Sequence, residues 1–180
     1  MEDLKPTEIL KEEHKVIRKM LDVLEVIVTK EDKLDDANIE DLKNIVDFIK
    51  NFADKCHHGK EEDILFPALE EAGIPKEGGP IGVMLEEHDI GRKYVRGLIK
   101  GIEEKSIVDI KENALGYINL LREHTDKEDN ILYEMADIHI DEFEQKEIIE
   151  KFEKVEKKMG KGVHEKYHKL IENLAEKYLK

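Results

Sequence analysis

The sequence has little of several things, and each shortage closes off a class of protein. Its 180 residues hold one cysteine, so no internal disulfide framework exists, and a single thiol fits a reducing cytoplasm. No run approaches the ~18 consecutive apolar residues of a membrane span. The N-terminal MEDLKPTEIL has no apolar signal core, so export is not expected. Positive charge is short: 30 Lys and Arg face 44 Asp and Glu, for a net charge of -14. Such a surface repels phosphate backbones, so nucleic acid is not an expected partner. Tryptophan is absent, aromatics make up 6%, and there are four prolines. What is abundant is Glu, Lys, Ile and Leu, the composition of helices. Eight histidines remain to be explained.

The apolar residues recur with a helical period. Leu10, Ile17, Leu21, Leu24 and Val28 form one stripe of a helix over about 6–28. A second helix is expected over about 39–66, with Ile45, Ile49 and Phe52 inward and Pro67 bending or interrupting it. IPKEGGP is a linker. A third helix covers about 81–104 on the stripe Ile81, Leu85, His88, Val95, Leu98. Ser106 and Asp109 open a fourth, extending to about Met135 on the stripe Ala114, Tyr117, Leu121, His124, Glu128, Ile131, Met135. Asp141 with Glu144 caps a fifth helix, and a short sixth covers 163–179. The fold class is therefore all-α. Residues 1–138 are expected to form an antiparallel up-down four-helix bundle, and 139–180 a C-terminal helical appendage packed on the same domain.

The chain repeats itself. EEHKVIRK at 12–19 and EEHDIGRK at 86–93 agree at five of eight positions; HHGKEEDILF at 57–66 and HTDKEDNILY at 124–133 agree at five of ten. His14 precedes His57 by 43 residues and His88 precedes His124 by 36, a difference the inter-helix loops absorb. At roughly 1.5 Å per residue the two hairpins climb and descend equally, so the four histidines share one layer. All four lie on buried stripes. Glu61 and Glu128 each follow an inward histidine by four residues, which stacks carboxylate on imidazole on one helix face. A carboxylate in a core stripe is costly unless paired, protonated or bound to metal. The repeat selects His57 with Glu61 and leaves His58 and Glu62 flanking. On that alignment His124→Ala should halve or abolish metal loading, and His58→Ala should change little.

Four imidazoles and two carboxylates exceed the needs of one tetrahedral zinc and suit paired iron or manganese in a bundle. The natural division puts His14 and His57 on one ion and His88 and His124 on the other, with Glu61 and Glu128 spanning both. A bridging oxo or hydroxo group completes five bonds per ion and leaves room for a small diatomic or peroxide ligand.

The ordered set His14, His57–Glu61, His88, His124–Glu128, together with the run HHGKEEDILFPAL, resembles the hemerythrin-type HHE cation-binding family over residues 6–135. The resemblance implies a non-haem centre of two iron ions, with manganese or zinc accommodated in the isolated protein. Oxygen-carrying members have a second histidine four residues after the third-helix one, where this chain has Arg92, and end in His and Asp where it has His124 and Glu128. The pattern is closer to the branch containing bacterial di-iron proteins of iron–sulfur cluster repair. It implies a cytoplasmic protein that binds or senses O₂, NO or peroxide, or handles iron. An oxidoreductase on the same centre (a peroxidase, NO reductase or ferroxidase) shares every ligand.

Weaker signals surround this set. His164-Glu165-Lys166-Tyr167-His168 matches the zinc-protease pattern H-E-x-x-H but lacks its longer context. His164 or His168 is expected either to add a ligand, to cap the cavity, or to lie on an exposed amphipathic helix. Tyr117 either points its hydroxyl at the metals or is a core tyrosine. Glu13 and Glu87 either accept from imidazole N–H groups or face solvent.

Overall fold

A computed structural model describes residues 4–30 and 33–180. It is all helical. Helix α1 spans Pro6–Lys30, and Pro6 costs little there because the first N–H groups have no intrahelical partner. Helix α2 is continuous over 36–71. It opens on a reciprocal capping box between Asp35 and Asn38, runs as α-helix over Asp36–Phe48, and then takes two π-helical stretches, Ile49–His58 and Glu61–Leu65. It closes as α-helix over Phe66–Glu71. Helix α3 spans Pro80–Glu104. Helix α4 is continuous over 107–139, with Ser106 accepting from the Asp109 N–H at its start and a π-turn at Glu128–Leu132. Helices α5, Glu142–Met159, and α6, Val163–Tyr178, follow.

Helices α1–α4 make the expected four-helix bundle. Helices α3 and α4 approach closely because glycines stand where side chains would collide: a Cβ on Gly116 would fall 2.3 Å from the Tyr94 ring. Helix α6 lies along α1 and the start of α2, while α5 lies against α1 and the π-helical part of α2. Tyr167, Ile171 and Leu174 of α6 join the apolar core at one end of the bundle, and Ile148 and Phe152 of α5 join the core at the other.

Those two cores are separated on every bundle helix. Leu10 belongs to one and Ile17 to the other; so do Leu65 and Phe52, Met84 and Val95, Leu132 and Leu121. Between each pair lies a histidine. The bundle is two apolar blocks with one polar layer between them.

Three expectations need correction, and the first two trace to the π-turns. Pro67 does not interrupt α2. It falls where the ladder returns from the i→i+5 bond between Phe66 N–H and the Glu61 carbonyl to ordinary α-helix, and the wider turn accommodates its ring and missing N–H. On α4 the expected stripe continues through Ile131 and Met135, but Ile131 is 52% exposed, and Leu132, Tyr133 and Ala136 are buried instead. The π-turn at Glu128–Leu132 inserts one residue per turn and moves the inward face by one position. On α3 the inward position is Met84, with Leu85 half-buried.

Candidate metal centre

The layer holds His14, His57, His58, Glu61, His88, His124 and Glu128, none more than 4% exposed. Both carboxylates open π-turns, a distortion that recurs at functional sites. Each carboxylate touches one histidine from each half of the layer. Glu61 Oε1 lies 3.5 Å from His57 Nε2 and 3.5 Å from His88 Nε2. Glu128 Oε1 lies 3.2 Å from His14 Nε2 and 2.9 Å from His124 Nε2. The rings of His14 and His57 are 4.7 Å apart and those of His88 and His124 4.8 Å.

The inward atoms are poorly satisfied by protein. His57 Nε2, His58 Nε2, Glu61 Oε1 and both Glu128 oxygens are buried without a hydrogen-bond partner. His88 and His124 face each other Nε2 to Nε2 at 3.1 Å, an arrangement two neutral lone pairs do not tolerate without a proton or cation between them. Buried orphan acceptors converging on one volume fit a metal. Within the layer, donor atoms cluster into two groups within 4.8 Å, His14–His57–Glu128 and His58–Glu61–His88–His124; a third group, Glu13–Glu156–His164, lies outside it.

Three of the four outward nitrogens are hydrogen-bonded, His124 Nδ1 being the exception, and the repeat explains the pattern. The glutamate before the first histidine of each half reaches the second: His57 Nδ1 donates to Glu13 at 3.0 Å, and Glu87 lies 3.7 Å from His124 Nδ1. The acid after each inward glutamate reaches across to the other half: His14 Nδ1 donates to Asp129 at 2.7 Å and His88 Nδ1 to Glu62 at 2.9 Å. Cations hold these acids in turn. Lys60 donates to Glu13 at 2.7 Å and Lys127 to Glu87 at 2.6 Å; Arg18 pairs with Asp129 and Arg92 with Glu62. Such partners orient imidazoles and raise their basicity. Of the outer acids, the sequence offers Glu13 and Glu87 as imidazole partners and leaves Glu62 flanking. Glu62 and Asp129 were legible as an acid following each inward glutamate.

Charge on the ligands follows from this crowding. Burial opposes protonation of His14, but Asp129 and Glu128 push it up to about 9. Burial likewise opposes charge on His88 and His124, and the glutamates push them up to about 9 and about 10. Burial and the nearby Glu128 charge push Glu61 up to about 8, while His124 holds Glu128 well below the usual range against its burial. The layer attracts positive charge.

Other named residues lie elsewhere. Tyr117 is buried and lines a cavity that reaches the layer at His58 and His88 and also touches Asp54 and Arg92. The tyrosine at the centre is Tyr133, turned inward by the π-turn, whose hydroxyl donates to Glu61 Oε2 at 2.9 Å and lies 3.3 Å from His14 Nε2. His164 is one carboxylate removed from the layer: its Nε2 lies 3.4 Å from Glu13 and its ring against Phe52. His168 packs beside His164 at 4.7 Å. Neither belongs to the inner groups. His58, left flanking by the repeat, is inside.

Comparison with known families agrees with the geometry: the hemerythrin HHE cation-binding domain matches residues 5–136. The chain belongs to the hemerythrin HHE family. Among curated proteins and among solved structures, no match was found. As a hemerythrin HHE protein it carries a buried His/Glu layer that fits a metal site, and helices α5 and α6 lie beyond the family's span. No helix among the described residues is long and apolar enough to cross a membrane.

Proposed function

We propose that this is a non-haem di-iron protein whose centre binds or senses dioxygen, nitric oxide or peroxide. The observation that carries the reading is the placement of Glu61 and Glu128, each within 3.5 Å of one imidazole from each pair. His14 and His57 would hold one ion, His88 and His124 the other, with the two carboxylates shared. Bound iron supplies redox capacity and a position for a diatomic or peroxide ligand. The chain supplies the dry cavity, the fixed imidazole tautomers and the negative charge that offsets the ions.

The test is metal analysis of protein loaded with ferrous iron without air, with Mössbauer and optical spectra before and after air, nitric oxide and peroxide. Two irons per chain and reversible spectral change support the proposal; one iron or none defeats it. Tyr133 favours a second reading, an oxidoreductase on the same centre. Its hydroxyl beside Glu61 and His14 can hold a proton at Oη for a reduced oxygen ligand. Consumption of peroxide or nitric oxide over many turnovers would establish that reading.

A further inference from the structure

The two halves of the layer match residue for residue at His14 and His88, His57 and His124, Lys60 and Lys127, Glu61 and Glu128. They part at His58, whose counterpart is Thr125. Thr125 turns its hydroxyl to the Arg122 carbonyl at 3.1 Å and offers the layer nothing. His58 does the opposite. We propose that His58 is a fifth imidazole donor to the metal centre, joining His88 and His124, so that the histidines divide two and three between the ions.

Three observations carry this, and they rest on the metal-centre reading above. First, His58 is 4% exposed and its Nε2 is buried without a hydrogen-bond partner, the same condition as His57 Nε2 in the layer. A core histidine with no ligand to meet normally satisfies both ring nitrogens. Second, its Nδ1 donates outward to Asp54 at 3.2 Å, the arrangement that leaves an inward lone pair on His57 and matches the outward ties of His14 and His88. Arg92 clamps Asp54 and Glu62 together, so one guanidinium orients both His58 and His88 through their acids. Third, His58 Nε2 has company: the ring stacks on His88 at 3.9 Å, and His58, Glu61, His88 and His124 present ligand atoms within 4.8 Å of one another. The π-helical stretch Ile49–His58 makes this possible. Its wider turn sets neighbouring side chains less than the α-helical 100° apart, so consecutive histidines both face the layer.

The test compares H58A and H58Q with wild type and H124A, using ferrous or cobaltous ion alone and chelator competition. Wild type should bind two ions. H58A and H58Q should bind one tightly and the second at least about 100-fold more weakly, a larger loss than removing an outer partner causes. Free imidazole should restore the second site in H58A but not in the bulkier H58Q. A cavity of about 270 Å³, lined by His58, His88, Gly91, Arg92 and Tyr117, gives it entry. X-ray absorption should count five imidazoles per two ions in wild type and four in H58Q. Circular dichroism of the metal-free variants separates misfolding from ligand loss, and H58Q keeps the packing if H58A does not fold. Two ions bound by H58A and H58Q with wild-type affinity overturn the His58 assignment and leave the di-metal reading standing. A wild-type protein that binds no metal overturns both.

Discussion

Loading metal into this layer should expel protons, and the structure says how many. In the metal-free protein at pH 7, His14 is protonated, because Asp129 and Glu128 push it up to about 9 against its burial. The Nε2 atoms of His88 and His124 lie 3.1 Å apart, which admits one N–H between them, so that pair holds one surplus proton despite both being raised. Burial and Glu128 push Glu61 up to about 8, so it is protonated as well. Ligation needs neutral imidazole and ionised carboxylate. Filling both sites at pH 7 should therefore release about three protons, and the overall binding constant should rise about a thousandfold per pH unit between roughly pH 6 and 8. Calorimetry in two buffers of different ionisation enthalpy reads the protons directly; chelator competition across pH reads the slope. Near pH 10 the Glu61 proton and most of the His14 proton have already gone and that of the His88–His124 pair is about half gone, so the release should fall below about one. A linked effect has the opposite reporter. A histidine raised from 6.5 to about 9 on folding stabilises the metal-free protein fully below pH 6.5, and that contribution disappears as pH rises through 9. The melting temperature of chelator-treated protein should thus fall between pH 7 and 10, while loaded protein should not follow it. Release of fewer than one proton at pH 7, or a binding constant flat from pH 6 to 8, would refute the reasoning.

Replacing Tyr133 with Phe should leave iron loading unchanged and, if the centre turns over peroxide, slow that turnover about a hundredfold, as loss of a positioned proton donor does. An unchanged rate removes Tyr133 from the proton supply. Lys60 is fully buried between Glu13 and Glu156, so Lys60→Met strands a buried carboxylate and should cost about 3 kcal/mol in urea denaturation. Adding Glu13→Gln should recover much of that loss, and a single-variant cost under about 0.5 kcal/mol would mean the pair contributes nothing beyond what a surface ion pair does. Arg92→Ala frees the acids behind His58 and His88 and should weaken metal binding by roughly 10- to 100-fold with helicity intact. The control Arg122→Ala removes only surface pairs to Asp22 and Glu25 and should leave binding as it was.

How far this molecule can be read from its sequence depends on which period governs each residue. Helices α1 to α4 follow 3.6 closely enough that Leu10, Ile17, Leu24, Ile45, Phe52 and Leu98 are buried where the stripes put them. His14, His57, Glu61, His88, His124 and Glu128 converge because the repeat aligns two equivalent hairpins. What a 3.6 period cannot contain is a π-turn. One extra residue per turn at Glu128–Leu132 turns Ile131 out and Tyr133 in, and π-helical winding before Gly59 brings His58 beside His57. That is why the sequence pattern offers Tyr117 but not Tyr133 as a tyrosine that could face the centre, and leaves His58 flanking. The repeat carries a further lesson. Six of its ten identical positions (Glu13 and Glu87, His14 and His88, Arg18 and Arg92, His57 and His124, Lys60 and Lys127, Glu61 and Glu128) are parts of one layered site: ligand, acid, cation. Duplicated geometry maintains them. The differences are then the informative positions near the centre. His58 against Thr125 and Phe66 against Tyr133 put an extra imidazole on one side and a hydroxyl beside His14 on the other. A centre built from two equal halves offers any incoming ligand two equal sites. These two substitutions make the two sides of the layer unequal.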